Sequence, residues 1–169
     1  MDLRTLSLIG TGSQIGAKLY GGLAAKKEGE LDAKASLASG KMTAEQLNRN
    51  AETERAAAQR AGFEKQRETD RVISSQVAIA AASGAGASNP TILDLIEDTA
   101  GRGKYLKDIE IYGGEERARG LEDQAQVATY NAKVRADAAK RKGKNLYIGS
   151  ILDSAATGFK GAYYAKGYQ

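Results

Sequence analysis

Few residues in this chain are equipped for chemistry. There is no His and no Cys. Imidazole acid–base catalysis, thiol nucleophiles, disulfides and the usual zinc sites are therefore excluded. Three carboxylates crowd together at Asp94, Glu97 and Asp98. Acids on one helix face can hold a cation or exchange protons. Near a helix start they also complement the helix dipole, and that plainer reading is preferred. Glu115 and Glu116, following Gly114, have the same explanation. The stretch GTGSQIG at 10–16 has the outline of a nucleotide-binding loop. Its last glycine, Gly16, comes one residue late, no acidic residue closes a βαβ unit, and no GK[ST] follows. No catalytic residue, cofactor site or metal site is expected.

The basic residues are more informative. Residues 133–144 read KVRADAAKRKGK, with Lys133, Arg135, Lys140, Arg141, Lys142 and Lys144 against a single acid. Lys140, Arg141, Lys142 and Lys144 are candidates for contact with phosphates, either of DNA or of lipid head groups. The alternative is a solubilising helix end whose cations suit the dipole. The run leads into a tail with Tyr147, Phe159, Tyr163, Tyr164 and Tyr168, interspersed with glycines. Basic, aromatic and small apolar residues together read as an interfacial segment. The N-terminal stretch LIGTGSQIGAKLYGG is similar in kind. Candidate membrane or assembly contacts are Ile9, Gly12, Gly16 and Leu19, then Val77 and Ile79, then Tyr147, Ile148, Phe159, Tyr163 and Tyr164.

The elements that must position these residues are helical. Hydrophobic residues are 41% of 169, but many are alanine, with two Phe, eight Tyr and no Trp. Such a chain makes helices readily and fills a globular core poorly. An elongated shape, or a core completed between subunits, is expected. The formal charge of +4 and pI of about 9.2 favour anionic surroundings only weakly. No apolar run reaches the ~20 residues of an ordinary transmembrane helix, and the glycine-rich start does not read as a signal peptide.

The fold expected is all-α: one elongated helical domain over 1–169, a hairpin with short glycine-rich terminal helices, assembling into a ring or tube. Residues 1–41 form the glycine-rich N-terminal segment and 42–82 the first long helix. Thr43 with Gln46 supplies a capping-box pattern at that helix start. Residues 83–90 form the turn, with Gly84 and Gly86 in the reversal, Asn89 as N-cap and Pro90 as the first residue of the returning helix. That helix spans 91–144, with interruptions at Gly101–Gly103 and Gly113–Gly114, and 145–169 is the aromatic and glycine-containing end. Ala118, Leu121, Ala125, Ala128 and Ala132 recur at 3,4,3,4 spacing, with Ala139 one heptad on, which predicts a heptad-like seam. From Val72 to Leu93 there is no charge at all, the pattern of a hairpin tip buried in an assembly or against lipid.

The succession TAEQLNRNAETERAAAQRAGFEKQRETDR, VAIAAASGAGASNPTILDLIEDTA and IYGGEERARGLEDQAQVATYNAKVRADAAK, covering about 43–144, resembles the small internal virion (ejection) proteins of short-tailed bacteriophages. The turn Ser83–Pro90 and the helical re-entry Gly113–Gly120 are the positions that carry over. The resemblance implies a non-enzymatic protein stored in the virion and expelled with the genome. It further implies a homo-oligomer joined by larger ejection proteins, in contact with host envelope lipid. Such an assembly would form part of a channel across the host outer membrane or envelope, conducting double-stranded DNA without sequence specificity. The alternative is an internal structural or DNA-associated virion protein without membrane contact.

Overall fold

The structure, a computed structural model, describes residues 3–84 and 89–166. They form two α-helices, α1 over Leu3–Ala82 and α2 over Pro90–Lys166, paired as an antiparallel hairpin. The short terminal helices expected from the glycine content are absent as separate elements. α1 runs without a break through Gly16, Gly21, Gly22 and Gly40, and α2 through Gly101, Gly103, Gly113 and Gly114. Thr43 is accordingly no cap. It lies inside α1, and its hydroxyl donates to the Ser39 carbonyl at 3.0 Å. Gly costs a helix roughly 1 kcal/mol relative to Ala. Here tertiary contact outweighs that cost, because several of these glycines are where the opposite helix sits.

The reversal is built locally. Ser83 N–H donates to the Ile79 carbonyl at 3.0 Å and Gly84 N–H to the Ala81 carbonyl at 3.3 Å, closing α1. Gly84 takes φ +74°, a left-handed conformation that side chains disfavour. Gly86 lies outside the described residues. Asn89 Oδ1 accepts the Thr91 N–H at 3.0 Å, and its carbonyl accepts from Ile92 and Leu93. Pro90 is the first helical residue, where its missing N–H costs nothing. Asn89→Ala should lower unfolding stability by about 1 kcal/mol in thermal or urea denaturation.

Contacts group into two compact units, one of Met1–Thr43 with Val127–Gln169 and one of Ala44–Gln126. In both, the buried apolar side chains are all alanines: Ala33, Ala132 and Ala136 in the first; Ala44, Ala51, Ala58, Ala80, Ala118 and Ala125 in the second. Glycines complete the seam. A Cβ placed on Gly29 would lie 2.6 Å from the Ala139 carbonyl oxygen and 3.1 Å from Gly143 Cα. In the second unit a Cβ on Gly114 would meet that of Ala58, and one on Gly103 would meet Thr69. Within each unit the register is constant. Gly29 faces Gly143 and Gly40 faces Ala132; Ala58 faces Gly114 and Thr69 faces Gly103.

The seam is not a heptad. Ala118, Ala125 and Ala132 are buried as that pattern requires, but Leu121, Ala128 and Ala139 are only half-buried. The repeat that holds is eleven residues: Gly29, Gly40, Ala51 and Gly62 along α1, and Gly103, Gly114, Ala125 and Ala136 along α2, all buried. Eleven residues in three turns give ~3.67 per turn, close to the helix's own 3.6, whereas a heptad's 3.5 drifts around it. Small residues at this spacing keep one face in contact with little winding.

The expected channel across the host envelope, with the protein lodged in the outer membrane, is overturned by this fold. Among the described residues no helix is long and apolar enough to cross a membrane. A span needs ~20 consecutive apolar residues. The uncharged stretch Val72–Leu93 is divided between the end of α1, the reversal and the start of α2, and mixed charges crowd α1 between Glu45 and Arg71.

Candidate functional site

The first polar cluster lies in the unit Ala44–Gln126. Arg55 projects from α1 between Ala51 and Ala58, both buried in the seam. Its Nε and Nη2 donate to the two carboxylate oxygens of Glu115 at 2.9 and 3.2 Å, and its Nη1 donates to Glu122 Oε1 at 2.7 Å. Glu122, and then Glu115, raise the guanidinium pKa above its ordinary range. The Arg55 hydrogen bonds in turn hold both carboxyls below their usual value. Arg117 Nε meets Glu54 Oε2 at 2.9 Å, a second bridge between the helices in this unit. Glu115 thus serves cross-helix pairing rather than a helix start. The sequence signal was a charged residue one turn from seam alanines on either side.

Elsewhere in this unit several carboxylates pair within their own helix. Asp98 pairs with Arg102 at 3.1 Å within α2, and Glu64 and Glu68 bind Arg67 and Lys65 instead of opposing each other. Among the described residues no group of acids is placed to hold a metal ion. Val77 and Ile79 are exposed on α1 of this unit.

The second cluster lies in the other unit. Lys26 and Lys34 from α1 and Lys140 and Lys144 from α2 line one groove of about 550 Å³, with Glu30 between the first pair. Leu37, Tyr147 and Ile148 supply its apolar surface. Lys26 Nζ stands over the Tyr147 ring, 5.6 Å from its centroid, a cation–π contact. Helical spacing explains the alignment: 26, 30 and 34, like 140 and 144, recur every four residues on one face. Of the basic run, therefore, Lys140 and Lys144 enter the groove; Arg141 and Lys142 are exposed and do not line it.

The remaining candidates are dispersed. Gly16 faces open space and Leu19 is partly exposed. Phe159 and Tyr163 are about four-fifths exposed at 78% and 81%. Ile9 and Gly12 are part of α1, and Tyr164 part of α2, but the surroundings of all three lie outside what the structure describes. Lys18 Nζ bridges to Asp153 Oδ2 at 2.8 Å and Thr157 Oγ1 at 3.0 Å, so part of the tail is tied to α1 by polar contacts. The structure thus joins Tyr147, Ile148, Lys140 and Lys144 into one site, and adds Lys26 and Lys34, which sequence reasoning missed because they lie over a hundred residues away.

No protein-family model, curated protein or solved structure matches the chain.

Proposed function

We propose that this chain is an internal structural protein of a virion that works without catalysis, by packing side by side with copies of itself into a ring or tube. The observation that supports the reading is the placement of bulk. The buried apolar side chains between the helices are alanines, while many larger apolar residues are exposed. Leu31 is 57% exposed in one unit, and Leu106, Ile109 and Tyr112 are 49, 47 and 65% exposed in the other. Single exposed apolar residues are normal, but here no large side chain is fully buried anywhere among the described residues. A second copy brings the same apolar faces, and lateral packing removes them from water at roughly 25 cal/mol per Å². The virion setting rests on the resemblance carried by 43–144, with larger internal virion proteins as expected companions.

Sedimentation velocity from low micromolar to near-millimolar concentration tests the reading. The expected result is a discrete oligomer that dissociates in the pair Leu106→Ser/Ile109→Ser while far-UV circular dichroism stays helical. A monomer throughout that range, with its helices intact, would overturn it.

A further inference from the structure

We propose that the groove walled by Lys26, Lys34, Lys140 and Lys144 is a binding site for the sugar-phosphate backbone of duplex DNA. This goes beyond self-assembly and does not rest on it.

The charge is unevenly distributed along the chain. The unit Met1–Thr43 with Val127–Gln169 has 14 Lys and Arg against 6 Asp and Glu, while Ala44–Gln126 has 11 against 15. A weakly basic protein thus contains one strongly basic part, and the lysine groove lies within it. The lysines do not converge on a point. By helical rise, Lys26 and Lys34 are about 12 Å apart along α1, and Lys140 and Lys144 about 6 Å along α2. Lys41 and Lys133, seven residues beyond Lys34 and before Lys140, extend both rows in the same direction. Two rows of ammonium groups suit an extended polyanion rather than a compact anion. Over ~12 Å of axis, one strand of B-DNA presents roughly three to four phosphates.

Shape selects among extended anions. A backbone ridge enters a groove, whereas a flat bilayer meets only its rims. The ammonium groups act as point charges on flexible stems, which follow phosphates without reading bases. Glu30 lies four residues from both Lys26 and Lys34 and lowers the field between them. The site is therefore weak, salt-sensitive and blind to sequence. Tyr147 holds Lys26 at one end, fixing one ammonium group where the backbone enters.

Fluorescence anisotropy of a labelled mixed-sequence duplex, titrated with salt, tests this on the full chain. Four lysine–phosphate contacts give a slope of log K against log salt between about −3 and −4. The pair Lys140→Gln/Lys144→Gln should remove about half the slope, Lys26→Gln/Lys34→Gln the other half, and all four together should weaken binding at least tenfold. Glu30→Gln should tighten it. Arg60→Gln/Arg67→Gln, in the acidic unit, should leave it unchanged, with circular dichroism reporting intact helices throughout. Absence of duplex binding at low salt would overturn the proposal. So would loss of the whole slope in the α2 pair alone, which would leave a single-helix basic run. Equal, lysine-dependent binding to phosphatidylglycerol vesicles would overturn it in favour of a lipid surface.

Discussion

Gly29→Ala should lower the melting temperature by roughly 3–10 °C, following an overpacking cost of about 1–3 kcal/mol and the usual conversion for a chain of this size. The new Cβ would lie 2.6 Å from the Ala139 carbonyl oxygen and 3.1 Å from Gly143 Cα. Both are backbone atoms, so no rotamer change relieves the contact and the helices must part locally. Gly143→Ala meets the same wall from the other side, with the Ala25 carbonyl oxygen at 2.9 Å. Gly21→Ala is the contrasting case. Its Cβ faces open space, and the gain in helix propensity should raise stability by roughly 0.5–1 kcal/mol. Differential scanning calorimetry of the three variants reads both signs. Equal shifts at Gly29 and Gly21 would mean that backbone proximity contributes nothing.

Arg55→Met should both destabilise the hairpin and weaken its sensitivity to acid. In the native chain Arg55 holds the Glu115 and Glu122 carboxyls below the ordinary value of 4.5. A carboxyl with a depressed folded pKa contributes stability that is complete above its unfolded pKa and is lost as pH falls through the folded one. The native melting temperature should therefore decline as pH drops below about 4.5. Without Arg55, Glu122 keeps opposed influences: desolvation and the charge of Glu115 raise its pKa, and the charge of Arg119 lowers it. The stability that depended on its ionised form is then smaller, so less is lost on protonation. The variant should melt a few degrees lower at neutral pH and recover part of that difference in acid. A parallel pH profile in both proteins would show that the Arg55 bridges are not coupled to folding.

How much of this was readable beforehand depends on the distance between the residues involved. Asn89 and Pro90 act within four residues of one another, so capping chemistry marks the start of α2 directly. The alanine seam was partly visible: Ala118, Ala125 and Ala132 satisfy both a seven- and an eleven-residue repeat over a short window. Only the longer run through Gly103, Gly114, Ala125 and Ala136 separates the two. The glycines misled because propensity counts their cost and cannot see the helix lying against them. Gly113–Gly114 reads as a break in isolation, yet Gly114 faces Ala58, where any added Cβ would collide. Arg55 with Glu115, and Lys26 with Lys144, are joined only by the antiparallel register, which no local window contains. The membrane expectation failed for a related reason. An uncharged stretch looked like one object, and the chain folds it into two helix ends.

The repeat along the seam also bears on how the helices find their alignment. Within the unit Ala44–Gln126, sliding one helix past the other by eleven residues would set many small seam residues against other small residues, so those positions distinguish the two settings only weakly. Such a seam resembles a ruler whose marks are alike, with Thr69 against Gly103 and Ile111 against Gly62 among the exceptions. Polar pairs sharpen the distinction in each unit: the fork of Arg55 on Glu115 with its third bond to Glu122 and the Arg117–Glu54 bridge in one, and the tie from Lys18 to Asp153 in the other. The smooth seam brings the helices close, and these few charged pairs identify the correct notch.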